Sequence, residues 1–468
     1  MIARPLALFY LAGCAAAPVT PTPPAATSTA PVEIPRALKG PPPPAPPPVA
    51  LRGATVMTAA GNVYAHGVVV LKDGKVLAVG PEGTPLPADA QVVDVTGKFV
   101  TPGLIDAHSH VGVYPAPATS GNDDGNEATA PNTAEVQAYH SFWPQDPQLW
   151  RALQGGVTSA LILPGSANLF GGRGFSIKLK PGGRTAADFR FPGAKDVLKM
   201  ACGENPKRVY GVGRKQAPST RMGNVAGYRS AWIAAAEYRR RQEAWAKGDH
   251  KAGDPPLRDL KLETLAGVLA GDILVENHCY RADELAVMIE LSHEFGYKIR
   301  AFHHALEAYK IRDVLAREGI AVATWADWWG FKMEAYDGIP QNAALVASVP
   351  GGRAIIHSDS ADGMQRLNQE AAKAMYAGRA AGVEVSEDEA LRWVTANPAW
   401  ALGVEDRTGT LEVGKMGDVV VWSGSPFSVY ARAERVYVDG ALAYDRGDRT
   451  TWPKSDFELG QVEAEVAP

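Results

Sequence analysis

An α/β fold is predicted for this 468-residue sequence: a barrel of parallel strands, carrying a small β-rich unit built from both chain ends. Three observations predict it. Short β-branched runs separated by turns dominate residues 51–103 and return after residue 404. Between them, strand-like and helix-like apolar spacing alternates, the pattern of βα units around a parallel sheet. Finally, four clusters each fall where an apolar run stops: Asp106-Ala107-His108-Ser109-His110, Glu276-Asn277-His278, His303-His304-Ala305 and His357-Ser358-Asp359. In a parallel barrel such strand ends converge on one face, and that face holds the active site.

Taken in order, the chain begins with Arg4, the apolar run Leu6-Ala7-Leu8-Phe9-Tyr10, and then Leu11-Ala12-Gly13-Cys14. This reads as a short export signal over residues 1–14 closed by a bacterial lipobox, with Cys14 as the lipidated residue. It implies a protein of the cell envelope that faces the periplasm and meets the membrane through a lipid anchor only. No apolar run reaches the roughly 20 residues of a spanning helix. Residues 15–50 are rich in Ala, Thr and Pro, and include the run Pro41-Pro42-Pro43-Pro44-Ala45-Pro46-Pro47-Pro48. That composition buries no core and favours an extended spacer rising about 3.1 Å per residue.

Residues 51–103 hold Gly67-Val68-Val69-Val70-Leu71, the turn Lys72-Asp73-Gly74-Lys75, and Val76-Leu77-Ala78-Val79. Asp-Gly between β-branched runs marks a hairpin. Residues 404–447 repeat the style in Asp418-Val419-Val420-Val421-Trp422 and Arg435-Val436-Tyr437-Val438, so the two ends are expected to form one composite β-sandwich. The barrel is expected over 104–403. Gly156 to Leu163 and Ile320 to Thr324 read as strands, Ala282 to Glu294 and Ile311 to Glu318 as helices, and 212–260 as a helical excursion with a charged loop. Residues 448–468 form a polar tail. The formal charge of −4 offers no electrostatic footprint for nucleic acid. Besides Cys14 only Cys202 and Cys279 are present, which implies no disulfide framework; Cys279 reads as an inert buried thiol, with a soft metal ligand as the alternative.

Several residue groups carry chemistry. His108 and His110, two apart on a strand, face the same side and are able to grip one ion. Imidazoles suit a zinc-like divalent metal, and a carboxylate completes such a shell while handling protons. Leu163 to Gly174 reads as a Gly-rich loop, a tight turn or an anion cradle. Trp325, Asp327, Trp328 and Trp329 follow a strand and shape either a pocket wall or the core, while Asn126-Glu127 sits in a long loop, on the surface or near the pocket.

The stretch Val95-Thr96-Gly97-Lys98-Phe99-Val100-Thr101-Pro102-Gly103-Leu104-Ile105-Asp106-Ala107-His108-Ser109-His110 resembles the entry to the first barrel strand of the amidohydrolase superfamily, in its imidazolonepropionase- and prolidase-like branch. Thr395-Ala396-Asn397-Pro398-Ala399, Gly409 to Lys415 and Gly417-Asp418 are similar to that family's closing pattern. The resemblance spans about residues 51–447. It implies a distorted (β/α)8 TIM-like barrel and hydrolysis of a small-molecule amide, cyclic amide or dipeptide-like C–N bond at one or two divalent ions, most simply Zn2+. It implies His108 and His110 as ligands, His278 from strand 5, His304 in preference to His303 from strand 6, and Asp359 as ligand and proton shuttle. At strand 4 both Lys199, matching a lysine that relatives carbamylate, and Glu204 remain candidates. An ester-cleaving lactonase or phosphotriesterase would use the same site, and a catalytically silent binding lipoprotein is the alternative of another class. Oligomeric state is not legible.

Overall fold

The computed structural model describes residues 47–248, 256–328, 330–449 and 452. Cys14 and its leader, the Pro-rich segment to residue 46, Trp329 and the tail from residue 453 lie outside them.

The chain enters through β1 (Val49–Met57), β2 (Val63–Lys72), β3 (Lys75–Gly80), β4 (Gln91–Asp94) and β5 (Phe99–Pro102). Asp73 and Gly74 both take positive φ, 50° and 79°, the backbone a two-residue I′ hairpin demands, so the Asp-Gly signal closes β2 onto β3. β1 pairs antiparallel with β2 and, along its other edge, parallel with β4 and then β5.

Eight strands then form the barrel sheet, in sequence order: β6 (Leu104–Ser109), β7 (Val157–Ile162), β8 (Phe170–Lys178), β9 (Val197–Ala201), β10 (Leu274–Cys279), β11 (Ile299–His304), β12 (Ala321–Thr324) and β13 (Ala354–Ile356). β6, β7 and β9 are buried along their whole length, as expected of strands covered on both faces. The last strand returns to the first through side-chain and loop contacts. The Asp359 N–H donates to the His108 carbonyl at 3.1 Å, and the Ser358 N–H donates to Asp106 Oδ1 at 3.2 Å.

The sequence reading needs two corrections here. β8 runs antiparallel to both β7 and β9, so the sheet is not wholly parallel. Only residues 163–169 join β7 to β8, too few for the crossover of a dozen or more residues that a parallel neighbour needs, so the chain must double back. Residues 170–174 of the expected Gly-rich loop are therefore strand. The second correction concerns Cys202 and Cys279, which form a disulfide with Cα atoms 5.2 Å apart. β9 and β10 are parallel neighbours with Ala201 opposite His278, and one step further along both strands brings the two thiols together.

The excursion consists of a helix at Arg221–Ala246, whose first turn is capped by Thr220 accepting from the Gly223 N–H, and a helix at Leu260–Ala270 capped by Asp259. The first buries Tyr228 and Trp232; Trp232 stacks on Tyr297 at 4.6 Å, and the Tyr228 hydroxyl donates to the Ala201 carbonyl at the end of β9. That contact ties the excursion to the barrel rim.

After the barrel, β14 (Val419–Trp422), β15 (Ala433–Val438) and β16 (Ala441–Asp445) complete the first sheet, with β14 antiparallel to β5 and Val421 opposite Val100. Both chain ends thus share one eight-stranded sheet. At its junction with the barrel, the fully buried Lys178 on β8 donates to Asp418 Oδ1 at 2.8 Å and to Asp439.

Candidate active site

Every barrel strand that ends in a histidine or acid ends at the same rim. His108 Nε2 lies 3.3 Å from His110 Nε2 and 3.3 Å from Asp359 Oδ1, and His110 Nε2 lies 3.2 Å from that oxygen. Donors about 2.0–2.1 Å from a tetrahedral ion stand about 3.3–3.4 Å from one another, so this spacing is that of a metal shell. His110 is oriented from behind, its Nδ1 donating to the Leu163 carbonyl at 2.7 Å. Lys199 Nζ stands 3.4 Å from His108 Nε2 and donates to the Pro164 carbonyl at 3.0 Å.

A second set of imidazoles lies beside the first. His108, His304 and His357 each offer a nitrogen within 4.8 Å of the others. The His278 ring centroid is 4.5 Å from that of His304. Among the described residues, Nδ1 of His278 and of His304 and both nitrogens of His357 are buried without a hydrogen-bond partner. Unpaired buried polar atoms are expensive, and a shared cation is the simplest group that would satisfy several of them at once.

The electrostatics agree with that donor set. Burial, reinforced by neighbouring cationic groups, holds His108, His278, His303 and His304 far below the usual imidazole range, and takes His357 down to about 3. All five are therefore neutral at pH 7, and all but His303, whose two nitrogens are both engaged in hydrogen bonds, keep a lone pair free for a metal. Burial lowers Lys199 to about 8, against the opposing charges of Asp359 and Glu276. Burial pushes the Asp359 carboxyl up, but the His110 hydrogen bond and the charges of His110, His357 and Lys199 outweigh it and hold it below its usual value.

Backbone strain gathers here as well. His304, Ala305 and Asp359 take φ of 70°, 36° and 52°, left-handed values that side-chain-bearing residues avoid unless the surroundings enforce them. The turn at His304 lets it leave the alternation of β11, so adjacent residues both reach the site. His303 is committed to hydrogen bonds inside the barrel, and His304 faces His278 and His357.

Of the two strand-4 candidates, only Lys199 stands among the histidines. Gly203, at φ 79°, turns the chain into a short helix at Glu204–Lys207, which carries Glu204 aside. The Glu204 N–H donates to Glu334 Oε1 at 2.6 Å, and its side chain lies 3.8 Å from Lys332 Nζ. Asn126 braces the loop after β7, accepting from the Ala167 N–H, and does not touch the histidines. A Cβ on Gly165 in that loop would stand 2.4 Å from Asn126 Oδ1 and 2.6 Å from the Tyr114 hydroxyl, so a larger residue there would displace those two side chains.

Three residues or groups went unread as site members. His357 shares with Asp359 the two-apart spacing that singled out His108 and His110, so the signal was present. Tyr280, stacked on His304 at 5.1 Å, and Tyr114, 5.3 Å from the His110 ring, carry no motif. Burial raises both phenols, Tyr114 to about 12, so they keep their protons. Trp325 does both jobs proposed for it: it is buried, and it stacks on His304 at 4.3 Å with the half-exposed Trp328 beyond it.

A barrel that gathers neutral imidazoles and a carboxylate at one rim has the groups a hydrolase uses. Comparison with known proteins gives the family. A model described as "Amidohydrolase family" matches residues 351–444. The chain is 36% identical over 420 residues to the amidohydrolase tasK of Hapsidospora irregularis, covering 86% of this chain and 42% of that one, so it spans less than half the length of that relative. It is 25% identical over 425 residues to the imidazolonepropionase of Streptococcus gordonii, covering 82% of this chain and 92% of that one. A solved amidohydrolase from Thermotoga maritima MSB8 matches with a TM-score of 0.78 at 39% identity, over 85% of this chain and 100% of that one. The chain belongs to the amidohydrolase superfamily, hydrolases that act on C–N bonds.

Proposed function

We propose that this protein is a metal-dependent hydrolase of a small-molecule amide, cyclic amide or dipeptide-like C–N bond, with one or two divalent ions, most simply Zn2+. The observation that carries the reading is the trio of His108, His110 and Asp359, whose donors stand 3.2–3.3 Å apart with Lys199 Nζ beside them. His278, His304 and His357 would hold a second ion. The cyclic C–N substrate is supported by the imidazolone in the name of the streptococcal relative.

When bound, such an ion lowers the pKa of water toward neutrality and polarises a carbonyl. The chain supplies the rest. Asp359, partly exposed and with its Oδ1 3.3 Å from His108 Nε2 and 3.2 Å from His110 Nε2, takes the proton of the attacking water and passes it to the leaving nitrogen. The protonated hydroxyls of Tyr114 and Tyr280 are the donors nearest the histidines for the oxygen that gains charge. Trp325, which stacks on His304, packs against Trp328 and Phe331, an aromatic cluster on which an apolar part of a substrate would rest. Lys199, lowered to about 8, is about one-tenth neutral amine at pH 7. That amine would add to carbon dioxide, forming an N–C bond and releasing a proton, and the resulting carbamate would supply the carboxylate the strand-4 position otherwise lacks.

For location, we propose export and lipidation at Cys14. The lipobox residues Leu11-Ala12-Gly13-Cys14 support it, and so does the disulfide between Cys202 and Cys279, a bond that persists in oxidising compartments. Elemental analysis of the purified protein, followed by a hydrolysis panel of cyclic amides, dipeptides, lactones and phosphotriesters, tests the activity. Stoichiometric metal with C–N cleavage is expected; activity that survives complete chelation, or that falls on esters alone, would overturn it. Cys14→Ser is expected to release the protein from the membrane fraction with its activity intact.

A further inference from the structure

β6 and β13 are the two edges of the barrel sheet, and among the described residues they share no ladder. A buried side chain joins them instead. Asp106 is fully buried on β6, two residues before His108, and takes no part in the proposed hydrolysis. Its Oδ1 accepts the His108 N–H at 3.1 Å and the Ser358 N–H at 3.2 Å, and its Oδ2 accepts from the Ser358 hydroxyl. One carboxyl group therefore grips the backbone of His108 and of the residue before Asp359. The grip does not depend on its charge. Oδ1 accepts both N–H groups whether or not Oδ2 carries a proton, and the Ser358 hydroxyl accepts as readily as it donates.

The turn it grips is one that needs holding. Asp359 takes a φ of 52°, a value that a residue with a side chain keeps only when its surroundings enforce it. Its own N–H donates to the His108 carbonyl at 3.1 Å, so residues 358 and 359 are both moored to β6. From that turn the Asp359 side chain reaches back, placing Oδ1 3.3 Å from His108 Nε2 and 3.2 Å from His110 Nε2. An apolar residue at position 106 would leave two N–H groups without their acceptor, and with them the hold on the turn.

We infer that Asp106 is a positioning residue: it closes the seam between the last barrel strand and the first, and so sets where the Asp359 carboxylate stands relative to His108 and His110. The inference rests on the proposed hydrolysis for its effect on rate, and on the hydrogen bonds alone for the placement. A carboxylate that has to meet a water and a leaving nitrogen loses most of its effect when it is displaced by about 1 Å.

Crystal structures and steady-state kinetics of full-length variants test it. In Asp106→Leu, similar in size but with no acceptor, the Asp359 carboxylate is expected to shift by about 1 Å or more, and kcat to fall about 10²-fold with KM little changed. Asp106→Asn, whose amide oxygen still accepts both N–H groups, is expected to keep Asp359 in place and to regain most of the rate. A folded Asp106→Leu protein with Asp359 unmoved or kcat unchanged would overturn the inference, as would an Asn variant no better than the Leu one. Should Asp106→Leu not fold, Ser358→Ala, which removes only the hydroxyl contact, decides in its place. Asp359 is then expected to shift and kcat to fall about tenfold, and a wild-type position or rate overturns the inference. If the wild type hydrolyses no C–N bond, the hydrolase reading fails, and the position of Asp359 in the crystals still decides this inference.

Discussion

Two lysines are fully buried among the described residues, and they sit in opposite kinds of company. Lys178, where the barrel meets the sheet of chain ends, is enclosed by Asp418 and Asp439 and has a cation–π contact with Phe191 at 5.4 Å. Lys199, on the neighbouring strand β9 at the rim, touches a carbonyl and an imidazole and holds no carboxylate directly. The first is a charge neutralised in place and serves to fasten two sheets. The second is left under-compensated, its pKa lowered to about 8, and so is able to react or to share a ligand. Burial alone does not tell a structural lysine from a functional one. The nearest counter-charge does.

The comparison predicts opposite failures. Lys199→Ala should reduce hydrolysis by about 10³-fold or more, the scale of losing a metal-site group, while thermal melting stays at or above the wild-type value because an under-compensated group has gone. A folded Lys199→Ala protein with wild-type kcat/KM would break the contrast. Lys178→Met should do the reverse. It strands the buried Asp418, while Asp439 keeps Lys180, and urea titration should show a loss of about 3 kcal/mol, with turnover per folded molecule unchanged.

Asp359 sharpens the contrast, as the carboxylate that acts on Lys199 without touching it. Asp359→Asn should lower kcat by about 10²-fold, with metal content by elemental analysis largely retained. A wild-type kcat in that variant would remove Asp359 as the proton shuttle.

The smallest expected effect lies at Glu334, a buried carboxylate held by Arg221 and 3.7 Å from Lys332. Burial and the nearby Glu284 raise it to about 7, outweighing those cations. A raised carboxyl binds its proton more tightly in the folded chain, so its contribution to stability is complete below about pH 4.5 and is lost as pH rises through about 7. Denaturation at pH 5 and at pH 8 should therefore show Glu334→Gln losing less stability than the wild type over that interval, by on the order of 1 kcal/mol. Equal slopes would remove the assignment.

Much of the rim was legible because the candidate site residues obey strand periodicity. His108 and His110 alternate with Ser109, and each histidine cluster ends an apolar run. The direction of β8 was not read, although the short 163–169 connection already forbade a parallel crossover. The disulfide was out of reach, since it depends on the register between β9 and β10 and not on the spacing of Cys202 and Cys279. In the sequence Glu276 stood only as a member of a strand-end cluster, and His303 as the less favoured alternative to His304 for a strand-6 ligand. Only the placement of the two on adjacent parallel strands brings Glu276 Oε2 within 2.7 Å of His303 and His303 within 2.9 Å of His108.

The Cys202–Cys279 bond closes a loop of sequence separation 77 around the whole helical excursion. Any single backbone cut between those cysteines, at the exposed Arg258 for instance, opens a chain that is still one covalent molecule. The two pieces would part on a denaturing gel only after reduction. Until then, the strand bearing Lys199 and the strand bearing His278 stay attached at the rim, whatever happens to the chain between them.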